Sequence, residues 1–426
     1  MVTSLVSRSV LCGLTLLLWS GTARAQDGRD WLARVAEAVC PLETLSGFDA
    51  QTALPGTWML REEAWPDPVA PRRVRVTLAT PDAGELRLEQ RVVNGRPFQF
   101  RMAWYAPGPE GPEPAMQAIA DGSCIVQSAR AIRAGEGAYR YLDQLDGDLA
   151  TLRWTETLQA PWPEGRDPGG PRVAFVDSGL AYDLPLFRDQ LARDEIGRPL
   201  GYDFWDLDPY PYDGDVARGA FFPIRHGTTV ASVFVREAPG AAMIPYRYPR
   251  PDMARLGAAL TEAHAAGARI VAMPLGSRRL EDWTRFLEVL EARDMLAIVS
   301  AGNDGVDIDA RPIYPAALAS EHVITVTSAD GFGRLATGSN WGAAHVDLML
   351  PAENLEITDF RGAKGVASGS SYAVPRLAAL AARILAAEPG LSAAELRTRI
   401  FARAVPSPFE RAGVLAVGWI ADPLQD

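Results

Sequence analysis

The sequence predicts an α/β fold: a doubly wound, mostly parallel sheet preceded by a smaller β-rich N-terminal domain. Two contrasting patterns carry this prediction. Before residue 160, charged and apolar residues alternate with period two, which is typical of strands with one solvated face. After residue 171, short apolar runs without alternation are separated by helical patterns, which is typical of parallel strands buried on both faces. A segment rich in Pro and Gly separates the two patterns.

The composition is that of an ordinary globular protein. The chain has 426 residues, of which 48% are hydrophobic and 22% charged, so it is neither disordered nor a multi-span membrane protein. Its net charge of −11 at pH 7 supplies no basic surface for nucleic acid or anionic lipid. We therefore expect no nucleic-acid partner.

Residues 1–25 have the pattern of a signal peptide. Arg8 supplies a positive charge, Val10 to Trp19 is a short apolar stretch, and Ala23-Arg24-Ala25 provides small residues at a cleavage site. The apolar stretch is about ten residues long, about half of what a membrane span needs. We therefore favour cleavage before Gln26 over a retained anchor. No later stretch is long enough to span, so we expect a secreted or periplasmic product without a membrane span.

Residues 26–160 are predicted to form the β-rich N-terminal domain. A helix over Asp30 to Val39 precedes strands in which charged and apolar residues alternate. These strands are predicted at 73–78, 85–89, 97–104 and 138–142. Removal of the signal peptide leaves Cys40 and Cys124. An oxidising compartment favours a disulfide between them, with two buried free thiols as the alternative.

Residues 161–171 are predicted to be a linker, because four Pro and three Gly cannot continue a helix or a central strand. The predicted catalytic domain, 172–420, follows it. Its strands are predicted at 172–176, 242–246, 269–273, 296–300 and 323–327, and its helices include 253–266 and 280–293. In such sheets the chemistry lies beyond the carboxyl ends of the strands.

Three short motifs stand at the ends of these elements. Asp177 follows the first buried strand in Asp-Ser-Gly, His226 opens His-Gly-Thr before an apolar helix, and Ser371 lies in Gly-Ser-Ser before an Ala-rich helix. A hydroxyl becomes a good nucleophile when a neighbouring base takes its proton; histidine is such a base near neutral pH, and a carboxylate orients it. Taken singly, each motif is equally typical of a turn, a packing residue or a loop.

Together the motifs resemble those of the subtilisin-like serine proteases (subtilases, the S8 peptidase family), which have the same order of Asp, His and Ser. Further segments follow in family order: Ser300-Ala301-Gly302-Asn303, Tyr314-Pro315-Ala316, Ser339-Asn340-Trp341-Gly342 and Val346-Asp347-Leu348. The resemblance implies a serine endopeptidase that cleaves proteins or peptides through an acyl-enzyme. It implies Asp177, His226 and Ser371 as the catalytic triad, and Asn303 as an oxyanion donor beside the Ser371 N–H.

The resemblance also implies where the substrate binds. An extended substrate is expected to pair with the segment that contains Leu275 and Gly276. The other substrate-binding residues that it implies are Ser300, Ala301 and Gly302. Pro274 departs from the family pattern, and because proline lacks an N–H it removes one donor from this segment.

No metal or other cofactor is assigned. Five aspartates crowd the stretch before His226: Asp203, Asp206, Asp208, Asp213 and Asp215. Carboxylates at such spacing suit Ca²⁺, and many subtilases bind calcium, but a solvated acidic loop explains the stretch equally well.

Two other functions stay open. A catalytically silent scaffold with the subtilase fold has no physical need for an intact triad and Asn303. A lipase or esterase would have Gly-x-Ser-x-Gly around its nucleophile, which is missing here. The N-terminal domain is interpreted either as a propeptide that docks on the catalytic domain and blocks its cleft, or as a permanent domain that recruits a partner or substrate.

Overall fold

The computed structural model describes residues 21–65, 72–407, 409 and 413–425, with the backbone alone for 21–26. Residues 1–20 of the predicted signal peptide lie outside the described residues. The described chain forms two compact units. One contains the residues up to Ala134 and Tyr141–Thr155, and the other contains Gly135–Arg140 and the residues from Glu156 onward. No helix in these described ranges is long and apolar enough to cross a membrane.

An eight-stranded sheet dominates the N-terminal unit. Its strands are β1 Trp58–Trp65, β2 Arg72–Ala79, β3 Glu85–Val93, β4 Arg96–Ala106, β5 Glu113–Asp121, β6 Val126–Ala134, β7 Arg140–Leu145 and β8 Leu152–Gln159. They lie in the sheet in chain order, and the pairings from β1 to β6 are antiparallel. The helices of this unit are α1 Gly21–Ala38 and α2 Ala50–Ala53.

One face of this sheet forms a core with α1. Leu32 and Val35 of the helix are fully buried in the same cluster as Val76 and Leu88, which occupy alternate positions of β2 and β3. The predicted Cys40–Cys124 disulfide is present, with a Cα–Cα distance of 5.7 Å. It joins the end of α1 to the turn between β5 and β6.

Sequence analysis missed four strands of this sheet, β1, β5, β6 and β8. In β1 most residues are exposed, and neither β1 nor β8 has a buried residue, so the pattern that marks a half-buried strand is weak. The buried positions of β5 and β6 are mostly alanines, among them Ala118, Ala120 and Ala129. Alanine is depleted in strands, so these segments lack the β-branched and aromatic signal.

The second unit is built on a parallel sheet. Its strands are β9 Arg172–Asp177, β10 Tyr202–Asp203, β11 Ala242–Arg247, β12 Ala268–Met273, β13 Leu296–Ser300, β14 Val323–Ala329, β15 Leu348–Pro351 and β18 Gly418–Trp419. They are ordered β10-β11-β9-β12-β13-β14-β15-β18, and all pairings recorded among its described strands are parallel. A separate antiparallel pair is formed by β16 Leu355–Thr358 and β17 Lys364–Ala367.

Helices cover both faces of this sheet, which confirms the predicted doubly wound fold. They are α3 Pro185–Arg188, α4 Gly227–Glu237, α5 Leu256–Ala265, α6 Thr284–Ala292, α7 Ser370–Ala387 and α8 Ala393–Phe401. In β9, Val173 and Phe175 pack into the core formed by α4 and α7. Ala174 and Val176 pack into the opposite core, formed by α5 and α6. Successive residues of a strand thus pack alternately against the helices on the two faces of the sheet. Because both faces are buried, the strands are continuous apolar runs.

The segment predicted as a linker has no helix or strand, and it packs within the second unit. The ring of Trp162 lies 4.2 Å from that of Tyr182, centroid to centroid. The N–H of Arg166 donates to Asp189 at 2.9 Å.

Candidate active site

Asp177 and His226 meet where β9 ends and α4 begins. Nδ1 of His226 lies 2.8 Å from Oδ1 and 2.9 Å from Oδ2 of Asp177. Asp177 is buried, whereas 33% of the His226 side chain is exposed. Because a carboxylate only accepts hydrogen bonds, Nδ1 of the ring is the donor. In the neutral ring this leaves Nε2 as the nitrogen that can take up a proton.

Gly227, the residue after His226, allows the Asp-Ser-Gly motif and the His-Gly-Thr motif to approach each other. A β-carbon at position 227 would lie 2.0 Å from the carbonyl oxygen of Gly179, so only glycine fits. The hydroxyl of Ser178 accepts hydrogen bonds from the N–H groups of His226 at 3.1 Å and Gly227 at 2.9 Å. The Asp-Ser-Gly turn therefore holds the start of α4, and with it His226, against the end of β9.

The carboxylate of Asp213 supports the backbone of His226 and the start of α4. This role was not predicted from the sequence. This fully buried carboxylate accepts hydrogen bonds from the N–H groups of Thr228 at 3.0 Å and His226 at 3.3 Å. It also accepts one from the hydroxyl of Ser178 at 2.7 Å. A negative charge at the start of a helix satisfies the unpaired N–H groups and complements the helix dipole.

The two carboxylates set the protonation of His226. Burial of the ring lowers its pKa, but the charge of Asp177, the hydrogen bond that the ring donates to Asp177 and the charge of Asp213 together outweigh burial and raise the pKa to about 9. At neutral pH the ring is therefore mostly protonated in the free protein.

Ser371 lies in the first turn of α7 and is half-buried. Its neighbour Ser370 is fully buried, and the hydroxyl of Ser370 accepts a hydrogen bond from the N–H of Gly302 at 3.2 Å. Ser371 is thus the more accessible of the two hydroxyls. The ring of Tyr372, the next residue, lies 6.4 Å from the His226 ring, centroid to centroid. No hydrogen bond joins Ser371 to His226 in the described part of the chain.

Asn303 lies beside the start of α7. Its Oδ1 accepts a hydrogen bond from the N–H of Ser370 at 2.9 Å, and a β-carbon at position 369 would lie 3.1 Å from the same oxygen. This contact fixes the amide next to the first turn of the helix. Within the residues described, the N–H of Ser371 has no acceptor in the protein, as is usual for the first turn of a helix.

The predicted substrate-binding residues lie in two places, and one of them, Gly302, is half-buried in the loop after β13. Leu275 and Gly276 line a cleft of about 600 Å³ that Asp177 and His226 also line. The structure buries Ser300 and Ala301 at the end of β13, so their side chains are inaccessible. They are buried because β13 is an interior strand of the sheet.

The five aspartates before His226 have partners from the protein itself. Arg247 donates to Asp203 at 2.7 Å and to Asp206 at 2.5 Å. Burial raises the pKa of Asp203 to about 6, against the opposing effect of Arg247. Asp208 and Asp215 accept hydrogen bonds from Tyr210 N–H and from the Tyr248 hydroxyl. No group of three or more His, Cys, Asp or Glu residues in the described chain has the arrangement of a metal site.

Comparison with known proteins identifies relatives of the second unit. Residues 169–418 match the sequence model of the subtilase family. The thermophilic serine proteinase of Bacillus sp. strain AK1 is 26% identical over 257 residues, which cover 56% of this chain and 57% of that protein. Subtilisin-like protease 1 of Arthroderma otae is 34% identical over 131 residues, 31% of this chain and 26% of that protein. The chain thus spans from about a quarter to just over half of the length of these relatives.

Among solved structures, a cold adapted subtilisin-like serine proteinase has a TM-score of 0.50 and 19% identity, covering 62% of this chain and 92% of that one. This similarity shows the fold of the second unit. The family match covers more than half of the chain. The chain therefore belongs to the subtilase family of subtilisin-like serine proteases.

Proposed function

We propose that this protein is an exported serine endopeptidase that hydrolyses peptide bonds through an acyl-enzyme on Ser371. The observation that carries the proposal is the contact between Asp177 and His226 on the wall of an open cleft. The helix that presents Ser371 begins nearby, since Tyr372 contacts Thr229 of α4, oxygen to oxygen, at 3.1 Å.

In the first step, Nε2 of His226 takes the proton of Ser371 as Oγ bonds to the carbonyl carbon of the substrate. The resulting imidazolium is stabilised by Asp177. The tetrahedral intermediate then collapses: its C–N bond breaks, and His226 gives the proton to the leaving amine. Water repeats the sequence on the acyl-enzyme, so the peptide bond is hydrolysed and Ser371 is regenerated.

The negative oxygen of the tetrahedral intermediate needs donors that are already in place. The amide of Asn303 and the N–H of Ser371 fit this role, because Asn303 is anchored through its Oδ1 and the Ser371 N–H belongs to the first turn of α7. The dipole of this 18-residue helix adds positive potential at the same place.

Labelling with a fluorophosphonate probe separates this enzyme from a silent scaffold. We expect one adduct on the wild-type protein, mapped to Ser371 by peptide mass analysis, and none on Ser371→Ala. Ser370→Ala is the matched control, because the neighbouring hydroxyl is buried and its loss leaves Ser371 in place to be labelled. An adduct on Ser370, or equal labelling of the wild type and Ser371→Ala, would contradict the proposal.

A further inference from the structure

We infer that Asn340 is a positioning residue for the reaction, because it fixes the loop that presents the amide of Asn303 to the tetrahedral intermediate. The inference rests on the proposed function and adds to it a residue that acts only through Asn303. Asn340 belongs to the Ser-Asn-Trp-Gly motif, which has no assigned role in the proposed mechanism. Its side chain is fully buried.

The loop of residues 301–306, which carries Asn303, needs support from another part of the chain. Asn303 itself is exposed, and Gly302 before it and Gly305 after it have φ values of +97° and +65°. Glycine is the most permissive residue of the backbone, so the residues of the loop do not fix its conformation by themselves. A donor to the negative oxygen must nevertheless be in place before the charge develops.

The side chain of Asn340 provides this support on both sides of Asn303. Its Nδ2 donates to the carbonyl of Ala301 at 2.8 Å. Its Oδ1 accepts from the N–H groups of Asp304 at 2.9 Å and Val306 at 3.0 Å. One amide group is thus bonded to the loop before and after Asn303, which lies between these contacts.

The backbone of Asn340 binds the same loop and connects it to the sheet. Its N–H donates to the carbonyl of Gly302 at 3.0 Å, and a β-carbon at Gly302 would lie 2.6 Å from Nδ2 of Asn340. A side chain at Gly302 would therefore displace the amide of Asn340. The hydroxyl of Thr327, a fully buried residue of β14, donates to the carbonyl of Asn340 at 2.7 Å. The loop is thus attached to the interior of the sheet through Asn340.

Asparagine is the residue type whose chemistry matches these contacts. The carbonyl of Ala301 needs a donor and two N–H groups of the loop need acceptors, and a single amide group supplies both. An alanine would leave these three backbone groups without their partner, so we expect the loop to rearrange when Asn340 is replaced. A displacement of about 1 Å costs about 10²-fold in rate even when the substitution is remote from the reacting atoms.

Kinetics of Asn340→Ala test the inference, with the full-length protein and the peptide p-nitroanilide that the wild type cleaves fastest. We expect kcat to fall about 10²-fold and KM to stay within about 3-fold of the wild type, since the loop acts on the intermediate. Asn94→Ala is the matched control, because Asn94 is exposed in the turn between β3 and β4. It should keep the wild-type kcat.

A double variant shows whether Asn340 acts through Asn303. We expect Asn303→Ala alone to lower kcat about 10²- to 10³-fold. In that background Asn340→Ala should lower kcat by less than about 3-fold more, because the amide that it positions is already absent. An equally large fall in both backgrounds would overturn the inference, since Asn340 would then act on the fold as a whole.

A milder variant decides the matter if Asn340→Ala does not fold. Thr327→Val has a similar shape and removes only the hydroxyl that donates to the carbonyl of Asn340. We expect its kcat to fall at least about 3-fold at an unchanged KM, with no further fall in the Asn303→Ala background. A wild-type kcat in Thr327→Val would then overturn the inference.

Fluorophosphonate labelling of the wild type separates failure of the inference from failure of the proposed function. If the wild type is labelled and Asn340→Ala keeps its kcat, the inference is wrong and the proposed function stands. A rise in KM in place of a fall in kcat would also overturn it, because Asn340 would then act on substrate binding. If the wild type is neither labelled nor active, the proposed function fails and the inference fails with it.

Discussion

Two carboxylates lie close to His226, and in the proposed mechanism they decide the pH at which its ring can accept a proton. Asp177 touches the ring, whereas Asp213 lies under the backbone of His226 and Thr228. Both negative charges favour the protonated ring, which holds its pKa near 9. A protonated imidazole cannot accept the proton of Ser371. The residue geometry therefore predicts an alkaline enzyme.

We expect kcat/KM for a peptide substrate to be low at pH 6 and to rise through an apparent pKa of about 9. The sign follows from the role of the ring: below its pKa His226 is charged and inactive as a base, and above it the ring is neutral and competent. A pH–rate profile at constant ionic strength measures this. A limb centred near the ordinary histidine value of about 6.5 would contradict the electrostatic account.

Asp213→Asn is expected to move this alkaline limb to lower pH, because it removes one of the two charges that favour protonated His226. Asp213 is a positioning residue, so kcat should also fall as the start of α4 loses an acceptor. The matched control is Asp194→Asn, a half-buried aspartate that accepts hydrogen bonds within the turn up to Arg198. If both variants keep the wild-type pH profile, Asp213 has no influence on His226.

Short sequence motifs were enough to propose the chemical residues of the site, but not the residues that support them. Asp177, His226 and Ser371 stand in short motifs at element ends, and such motifs are visible without a structure. Asp213 was one aspartate among five, because its burial under α4 depends on the tertiary fold.

At the scale of elements, a buried ion pair joins the helix of His226 to the helix of Ser371. Nε of Arg376 in α7 donates to Glu237 at the end of α4, at 2.9 Å and 3.2 Å to its two oxygens. Arg376 also donates to the carbonyl of Pro351 at 2.6 Å. Both side chains are almost fully buried, so the pair fixes how α4 and α7 pack.

Glu237→Ala should therefore lower the free energy of unfolding of the second unit by about 3–5 kcal/mol, because it leaves the Arg376 charge buried and unpaired. Denaturant unfolding followed by tryptophan fluorescence measures the change. Glu388→Ala removes the exposed partner of Arg399 and serves as the control, with no measurable change expected. Equal midpoints for the two variants would show that the buried pair does not hold the helices.

The disulfide is the corresponding constraint in the N-terminal unit. Cys40 and Cys124 are 84 residues apart in sequence, so closing this loop stabilises the unit by up to about 4–5 kcal/mol in the chain-entropy model. We expect the double variant Cys40→Ser, Cys124→Ser to unfold at a lower temperature by calorimetry. Reduction of the wild type should produce the same shift. A thermal transition insensitive to both changes would contradict the stabilising role.

Elements with strong periodicity were predictable, and short or alanine-rich elements were not. The five predicted parallel strands correspond to β9, β11, β12, β13 and β14, because their apolar runs are unbroken. The helices predicted to begin at Met253 and Leu280 each start with a 3-10 turn before α5 and α6. Strands β10 and β18 have two residues each, too few for any sequence period.

At the scale of the whole molecule, the sequence contrast between two kinds of strand pattern corresponds to two compact units. The fold class followed from this contrast because antiparallel and parallel sheets bury their strands differently. The N-terminal unit is interpreted either as a propeptide that is removed or as a permanent domain.

Intact mass measurement of the protein recovered from an expressing host distinguishes these two interpretations. We expect the Ser371→Ala variant to begin at Gln26, after removal of the predicted signal peptide. A wild-type protein that lacks residues 26–160 while Ser371→Ala keeps them would identify a propeptide removed by self-processing. Equal masses would identify a permanent domain. A mass that includes residues 1–25 would contradict export by signal cleavage.

The most direct test of the central claim is hydrolysis of a set of peptide p-nitroanilides that differ in the residue before the scissile bond, at pH 9, by the wild type and Ser371→Ala side by side. We predict turnover by the wild type and a loss of at least about 10³-fold in kcat for Ser371→Ala, with Ser320→Ala, remote from the cleft, retaining wild-type activity. Equal turnover by the wild type and Ser371→Ala would contradict the assignment of Ser371 as the nucleophile activated by His226 and Asp177.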